Sequence, residues 1–123
     1  MRRHKNSRYR PSQWDLPGGK IDVGESYAEG AAREIAEEAG LKITPLQLDL
    51  VYSVTNKRGD DTSIVRLFYT ALIDDDQIRL SQEHEEYAWL SPEEAIETFD
   101  YPLQKDLLSY LLENQLLPRL VPA

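Results

Sequence analysis

The segment from Gly19 to Leu41 constrains this chain more than any other, because it predicts a glycine turn, a helix and both ends of that helix. Ser26 followed three residues later by Glu29 is the pattern of a capping box. Gly40 is the kind of residue on which helices commonly end. The sequence therefore predicts a helix over residues 27–39.

One face of this helix is predicted to be acidic. An α-helix turns by about 100° per residue, so Glu34, Glu37 and Glu38 fall on one side of it. The opposite side carries a stripe of small apolar residues suited to packing on a sheet: Ala28, Ala32, Ile35 and Ala39. Crowded carboxylates repel one another and raise their own pKa values unless a cation is present. The grouping predicts a site for divalent metal and phosphate.

The spacing of these residues resembles the Nudix box, with no departure at any defining position. The pattern reads Gly19, five residues, Glu25, seven residues, Arg33-Glu34-Ile35, one residue, Glu37-Glu38, one residue, Gly40-Leu41. The preceding run Trp-Asp-Leu-Pro-Gly-Gly is similar to the usual lead-in of the family, and so is the order of elements after the box. The resemblance implies an α/β fold, an α/β/α sandwich with a mixed central sheet, formed by a single domain over residues 1–123.

Composition narrows the classes of partner and site. The chain has 123 residues, a net charge of -8 and no cysteine. An acidic body argues against duplex nucleic acid as a partner, since phosphate neutralisation drives that binding. The lack of cysteine excludes a disulfide framework and a thiolate metal site, and no apolar run is long enough for a membrane span. A cytoplasmic setting and no membrane partner are expected.

A hairpin is predicted after the box. Its strands are Leu48–Thr55 and Ile64–Ile73, and the turn between them is rich in polar residues and contains Gly59. Both faces of the second strand are apolar, which predicts an interior strand covered by helices.

A short strand and two helices are predicted for the rest of the chain. The strand spans Tyr87–Leu90, and the first helix begins after the Ser91 cap and ends near Phe99. The last helix begins at Pro102. Its expected core-facing stripe is Leu103, Leu107, Tyr110 and Leu111.

The first residues are expected to be the end of a strand. Members of the family usually carry about two further strands before this point, so the resemblance implies truncated N-terminal strands. A sheet that lacks a strand exposes unpaired backbone groups. We therefore expect a truncated gene model, a strand supplied by a second copy in a homodimer, or a rearranged topology.

The reaction implied by the resemblance is hydrolysis of a diphosphate bridge in a nucleoside diphosphate linked to another group. Mg²⁺ is the implied cofactor, with Mn²⁺ as a substitute, and a small nucleotide is the implied partner. A carboxylate nucleophile would be repelled by such a substrate, whereas carboxylates that hold a divalent cation can bind its phosphates.

The resemblance also implies metal ligands. Three catalytic glutamates of the helix are implied to bind the metal directly or through water: Glu34, Glu37 and Glu38. The carbonyl of Gly18 in the preceding loop is the fourth implied ligand. Glu38 is the expected direct ligand, and Glu34 acts as a base in some members. Gly18 and Gly19 are also expected beside the substrate.

Arg33 is interpreted as a catalytic-site residue that holds the neighbouring carboxylates in place, and we call this role the clamp. A guanidinium can bind carboxylates one turn away and hold the rotamers that a metal site requires. Arg3 is the predicted substrate-binding arginine, because in related enzymes an arginine at the end of the preceding strand contacts phosphate. The alternatives for Arg3 are a frayed basic terminus and a nucleic-acid arm, and the scarcity of aromatic residues disfavours the arm.

A further carboxylate is expected from the loop at residues 82–86. In similar sequences an acidic residue there is a late metal ligand or the general base. We predict that Glu83 is this residue and include it among both the metal ligands and the catalytic residues. Glu85 and Glu86 are the competing candidates, and the alternative is that the whole loop is acidic only because it is solvated. His84 is interpreted as a loop histidine rather than a ligand.

Several substrates fit this chemistry. The favoured one is a nucleoside triphosphate, such as an oxidised purine nucleotide, cut to the monophosphate and pyrophosphate. ADP-ribose or another nucleotide sugar is the closest alternative, followed by dinucleoside polyphosphates. A non-catalytic nucleotide-sensing module is the alternative from another class, but such modules typically lose box carboxylates and this chain keeps them all.

Overall fold

The computed structural model describes residues 1–74 and 76–117. In chain order its elements are β1 (Arg2–Arg3), α1 (Tyr27–Ala39), a short 3-10 helix (Pro45–Gln47), β2 (Asp49–Lys57), β3 (Ser63–Thr70), β4 (His84–Glu86), α2 (Pro92–Thr98) and α3 (Pro102–Glu113). The mixture of helices and antiparallel strands confirms the predicted α/β class.

Helix α1 has the predicted bounds because both of its ends are determined locally. Ser26 Oγ accepts the Glu29 N–H at 3.1 Å, and Glu29 Oε1 accepts the Ser26 N–H at 3.1 Å. At the other end Gly40 adopts the left-handed conformation, with φ of 71°. These contacts satisfy backbone groups that the helix itself leaves unpaired. A single continuous helix therefore carries residues 33–38.

The described strands form two antiparallel ladders. β2 and β3 form the predicted hairpin, in which Thr55 lies opposite Val65. β1 and β4 pair so that Arg3 lies opposite His84. The short strand predicted at residues 87–90 is wrong in position, because the backbone that pairs with β1 is that of residues 84–86. This pairing brings the start of β4 beside the first residues of the chain.

The buried core lies between the helices. Leu107 and Leu111 of the predicted α3 stripe are buried together with Leu108, and Phe99 from the end of α2 joins them. Tyr110 of the same stripe is 42% exposed and packs its ring against Tyr52 of β2 at 5.0 Å between centroids. Helix α3 therefore supplies most of the buried apolar side chains that the structure describes.

The predicted interior position of β3 is wrong. None of its residues is buried, and Val65 is 60% exposed. Within the described ranges β3 pairs with β2 alone, so its other edge has no strand beside it. Apolar residues on both faces thus mark a strand that is only partly covered. The homodimer expected from an incomplete sheet stays a prediction.

The described helices are also short: across residues 1–74 and 76–117 there is none with the length and apolar character that crossing a bilayer requires.

Candidate active site

The glycine loop before α1 lies against the acidic face of that helix. The Gly18 N–H donates a hydrogen bond of 2.8 Å to Glu38 Oε2. At Gly19 a Cβ atom would overlap the Glu34 carboxylate, so the backbone can approach this close only without a side chain. Both glycines that were predicted to lie beside the substrate thus contact box carboxylates.

Glu38 is the most buried of the box glutamates, with only 7% of its surface exposed. The pKa of its carboxyl is raised to about 7, mainly by burial and then by the negative charges of Glu34 and Glu83, while the Gly18 N–H acts in the opposite direction. A carboxyl in such surroundings binds a proton near neutral pH. A cation placed beside it would favour the ionised form.

Glu38 lies in a cluster with two residues from the far side of the site. Glu38, Glu83 and His84 each offer one ligand atom, and these atoms all lie within 4.8 Å of one another. Backbone hydrogen bonds hold the two chain segments together, since the Ser81 N–H donates to the Glu38 carbonyl at 3.2 Å. We call these three residues the Glu38 cluster.

His84 is the member of the cluster that sequence reasoning missed. It is the first residue of β4, not a loop residue, and it is 5% exposed. Neither of its ring nitrogens has a hydrogen-bond partner. Burial lowers the pKa of the imidazole, as do the nearby charges of the chain's amino group and Arg3. A buried polar group without a partner costs about 1–3 kcal/mol. The polar run at residues 82–86 lacks the alternation that would have revealed a strand.

Arg33 gathers the other carboxylates of the box. Its Nε and Nη2 donate to the two oxygens of Glu25, each at 2.9 Å, and its Nη1 donates to Glu34 at 3.0 Å and to Glu37 at 3.2 Å. The hydrogen bond to Glu25 is the main reason that the pKa of Arg33 is raised. Arg33 therefore joins the loop before α1 to two glutamates of the acidic face.

The four predicted ligand carboxylates are thus divided between two groups. Glu38 and Glu83 lie together, whereas Glu34 and Glu37 are bound by Arg33. The Glu37 side chain is 58% exposed. The guanidinium lies one helical turn from Glu37, which explains why it captures that carboxylate.

The two acidic residues that compete with Glu83 are engaged elsewhere. Arg2 Nη2 lies 3.2 Å from a carboxylate oxygen of Glu85 and 2.9 Å from one of Glu86. Of the three acidic residues in this run, Glu83 is the one grouped with Glu38, and its role as a ligand or base stays a prediction.

A cavity of about 390 Å³ adjoins the Glu38 cluster at Glu83. The N-terminal segment lines its other side with Arg3, Ser7, Arg8 and Tyr9. The cavity has the size of a small-molecule site. One side of it is basic and the other carries a carboxylate of the Glu38 cluster, which suits an anionic ligand held together with a cation.

Arg3 is fixed by several internal contacts. Its Nε donates to the Tyr9 carbonyl at 2.7 Å, its Nη2 donates to Ser7 Oγ at 3.0 Å, and its Nη1 lies 3.6 Å from Asp15. The guanidinium is therefore ordered at the edge of the cavity rather than frayed. Its predicted contact with substrate phosphate stays a prediction.

Comparison with known proteins agrees with these features. The family model described as NUDIX domain matches residues 1–111. The nucleoside triphosphatase NudI of Escherichia coli O1:K1 is 30% identical over 94 residues, which cover 70% of this chain and 67% of that protein. The NudI protein of Escherichia coli O139:H28 matches to the same extent.

Solved structures similar to this chain include a MutT protein and an Ap4A hydrolase. The MutT protein of Methanosarcina mazei Go1 superposes with a TM-score of 0.78 at 30% identity, covering 94% of this chain and 82% of that one. The Ap4A hydrolase of C. elegans, solved as a binary complex, gives a TM-score of 0.63 at 31% identity, covering 89% of this chain and 82% of that one. The similarity thus extends well beyond the segment from Gly19 to Leu41.

Proposed function

This chain belongs to the Nudix family of hydrolases, which act on phosphoanhydride bonds, and on that premise we propose that it cleaves a nucleoside triphosphate to the monophosphate and pyrophosphate. The proposed cofactor is Mg²⁺, with Mn²⁺ as a substitute. The proposed setting is the cytoplasm. The likeness to NudI, a nucleoside triphosphatase, supports the choice of substrate.

The observation that carries this proposal is the meeting of Glu38 and Glu83 beside the cavity. The two carboxylates come from opposite sides of the site, and the donor set suits a divalent cation. Such a cation, when bound, supplies neutralisation of the charge on the phosphates and activation of water. Glu38 and Glu83 would hold it, and Glu34, Glu37 and the Gly18 carbonyl are the further proposed ligands.

The protein's own residues prepare this site in two ways. The Gly18 N–H holds one oxygen of Glu38, which orients the carboxylate. Arg33 holds the Glu34 and Glu37 carboxylates on the same helix. The side chains are therefore positioned before a substrate binds. Such preorganisation removes the free-energy cost of ordering them during the reaction.

Two residues have proposed roles with the substrate. Arg3 is ordered at the edge of the cavity, where its positive charge attracts phosphate. Glu83 has an exposed side chain beside the same cavity, and we assign it either metal binding or proton abstraction from the attacking water.

A dinucleoside polyphosphate is the second candidate substrate, because the chain resembles an Ap4A hydrolase over 89% of its length. The bond that is cleaved is of the same kind in both cases. The difference lies in how the second nucleoside would be accommodated outside the cavity.

The test is a product-release assay over a panel of nucleotides with and without Mg²⁺. The panel contains nucleoside triphosphates, oxidised purine nucleotides, dinucleoside polyphosphates and ADP-ribose. Pyrophosphate and monophosphate from a triphosphate are the expected products, and ¹⁸O-labelled water identifies the phosphorus that is attacked. Turnover of ADP-ribose alone would assign the nucleotide-sugar alternative, and tight binding without turnover of any compound would assign the sensing module.

Glu38→Gln tests the role of the Glu38 cluster. The loss of one ligand charge should reduce the rate by at least about 100-fold, on the order of 3 kcal/mol of transition-state stabilisation. Glu97→Gln, on the exposed surface of α2, is the matched control and should retain the wild-type rate. Activity that survives both EDTA and Glu38→Gln would contradict the metal-dependent mechanism.

A further inference from the structure

We propose that His84 is a nitrogen ligand of the metal, so that the Glu38 cluster supplies two carboxylates and one imidazole to the site, which binds Mn²⁺ or Co²⁺ more tightly than Mg²⁺. The inference rests on the proposed function, because it concerns the same metal site. It assigns a role to a residue outside the glycine loop and outside α1.

The burial of His84 is the first observation that points to a ligand. The residue is 5% exposed, and both Nδ1 and Nε2 lack a hydrogen-bond partner. Buried side-chain nitrogens in proteins normally have a partner, whether protein, water or ion. A metal ion bound to one ring nitrogen provides that partner.

The direction of the imidazole is the second observation. One of its nitrogens lies within 4.8 Å of a carboxylate oxygen of both Glu38 and Glu83. Donor atoms on one cation, with bonds of about 2.1 Å, lie at most about 4.2 Å apart. The three donor atoms, all within 4.8 Å of one another, therefore exceed that limit by at most about 0.6 Å, and the exposed Glu83 side chain is free to rotate.

The backbone around the three donors is fixed by hydrogen bonds. β4 pairs with β1 so that His84 lies opposite Arg3, and the His4 N–H donates to the Glu83 carbonyl at 3.0 Å. The Gly18 N–H holds Glu38 from the other side at 2.8 Å. The donors therefore converge because of the fold, as a preformed site requires.

The donor set determines which metals bind best. Mg²⁺ prefers oxygen ligands and gives up its waters reluctantly. Imidazole suits first-row transition metals, and Mn²⁺ also accepts carboxylates readily. A site with one imidazole and two carboxylates therefore gives Mn²⁺ and Co²⁺ an advantage that a site of oxygen ligands alone would not.

Electron spin echo spectroscopy of the Mn²⁺-loaded wild-type protein tests this inference directly. A bound imidazole gives a ¹⁴N coupling, which changes when the histidines carry ¹⁵N. The chain has two histidines, and the other one is His4. We expect the coupling in the wild type and in His4→Gln, and its loss in His84→Gln. Its presence in His4→Gln protein assigns it to the single remaining histidine, even if His84→Gln does not fold.

Metal affinities measured by calorimetry provide the second readout. We expect His84→Gln to weaken Mn²⁺ binding at least about 10-fold and Mg²⁺ binding by less than about 3-fold, whereas His4→Gln changes neither. Glu38→Gln should weaken the binding of both metals.

The outcomes separate this inference from the proposed function. Glu38-dependent Mn²⁺ binding without a ¹⁴N coupling would overturn the role of His84 and leave the carboxylate site intact; the imidazole would then bind a buried water. A coupling that disappears in His4→Gln would also overturn it. Metal binding unaffected by Glu38→Gln would contradict both proposals.

Discussion

The Gly18 N–H and the Glu38 carboxylate are joined by a hydrogen bond of 2.8 Å between residues that lie 20 positions apart in the chain. This bond holds the glycine loop against α1 at the point where the carboxylate is most buried. It also opposes the effect of burial, which raises the pKa of Glu38. The loop therefore helps to determine whether that carboxylate is charged.

Gly18→Pro should weaken the site by removing this N–H. Because the hydrogen bond favours the ionised carboxylate, we expect the pKa of Glu38 to rise above about 7 and the rate at neutral pH to fall roughly 10-fold or more. Gly18→Ala is the matched control: it keeps the N–H, and nothing lies within 4 Å of the added Cβ. Carbon NMR of the Glu38 carboxyl and rate measurements report the two effects. Equal losses in both variants would contradict this account.

Gly19→Ala should disturb the acidic face through steric overlap. The added Cβ meets the Glu34 carboxylate, which must rotate away and lose its 3.0 Å contact with Arg33. We expect a loss of activity of roughly 10-fold, since displaced supporting contacts in a metal site usually cost that much. Gly59→Ala, where the added Cβ meets open space, should retain wild-type activity. Kinetics of the two variants under identical conditions provide the check.

Arg33→Lys should weaken the hydrogen bonds that join the loop before α1 to the acidic face of that helix. Lysine cannot reproduce the paired hydrogen bonds to Glu25 together with those to Glu34 and Glu37. The rate should fall by about 10- to 100-fold, with folding retained in circular dichroism spectra. Arg79→Lys, at an exposed arginine, is the control and should behave as wild type. A wild-type rate in Arg33→Lys would show that the clamp has no catalytic consequence.

Arg3→Gln should affect substrate binding more than turnover if its charge attracts phosphate. We expect KM to rise about 10-fold with a smaller change in kcat, because the contact is present both before and during the reaction. Arg3 also lies 3.6 Å from Asp15, so thermal unfolding must be measured in parallel. Arg66→Gln, on strand β3 and outside the lining of the cavity, is the control for loss of one positive charge. An unchanged KM with a lower melting temperature would assign Arg3 a structural role alone.

The pH dependence of stability should carry the signature of Glu38. An unfolded glutamic acid has a pKa near 4.5, whereas that of Glu38 in the fold is about 7, so the folded state holds the proton more tightly. The stabilisation from that proton is complete below about pH 4.5 and is lost as pH rises through about 7. Between about pH 5 and 8 the metal-free protein should lose on the order of 1–3 kcal/mol relative to Glu38→Gln.

Urea unfolding of the two proteins at several pH values measures this difference. The comparison with Glu38→Gln also removes the contribution of His84, whose lowered pKa acts in the opposite direction. Mg²⁺ or Mn²⁺ should stabilise the wild type more at pH 8 than at pH 6, because the cation competes with the proton for the same carboxylate. Parallel stability curves for the two proteins would contradict the raised pKa.

The sequence by itself determined the elements whose contacts are local. The bounds of α1 follow from Ser26, Glu29 and Gly40, which act within one helical turn of each end. The same holds for α2, where Ser91 caps the first turn and accepts the Glu94 N–H at 3.2 Å. Such hydrogen bonds join residues three or four apart, so their pattern can be read directly from the chain.

Tertiary structure decided which carboxylates meet. Helical geometry places Glu34, Glu37 and Glu38 on one face, but it does not say that Arg33 binds the first two while Glu38 faces the opposite segment. That division depends on how the loop before α1 folds back onto it. Side chains of similar spacing therefore acquire different partners.

The location of His84 is the clearest case of a feature that the sequence alone does not predict. Its position depends on the antiparallel pairing of β4 with β1, which joins residues about 80 positions apart. No local pattern encodes that pairing, because a three-residue strand is too short to show periodicity. The sequence determined the box, its helix and the class of chemistry. The fold decided that a buried imidazole joins Glu38 and Glu83, because the pairing of β4 with β1 and the hydrogen bond from the Ser81 N–H to the Glu38 carbonyl together bring residue 84 to residue 38.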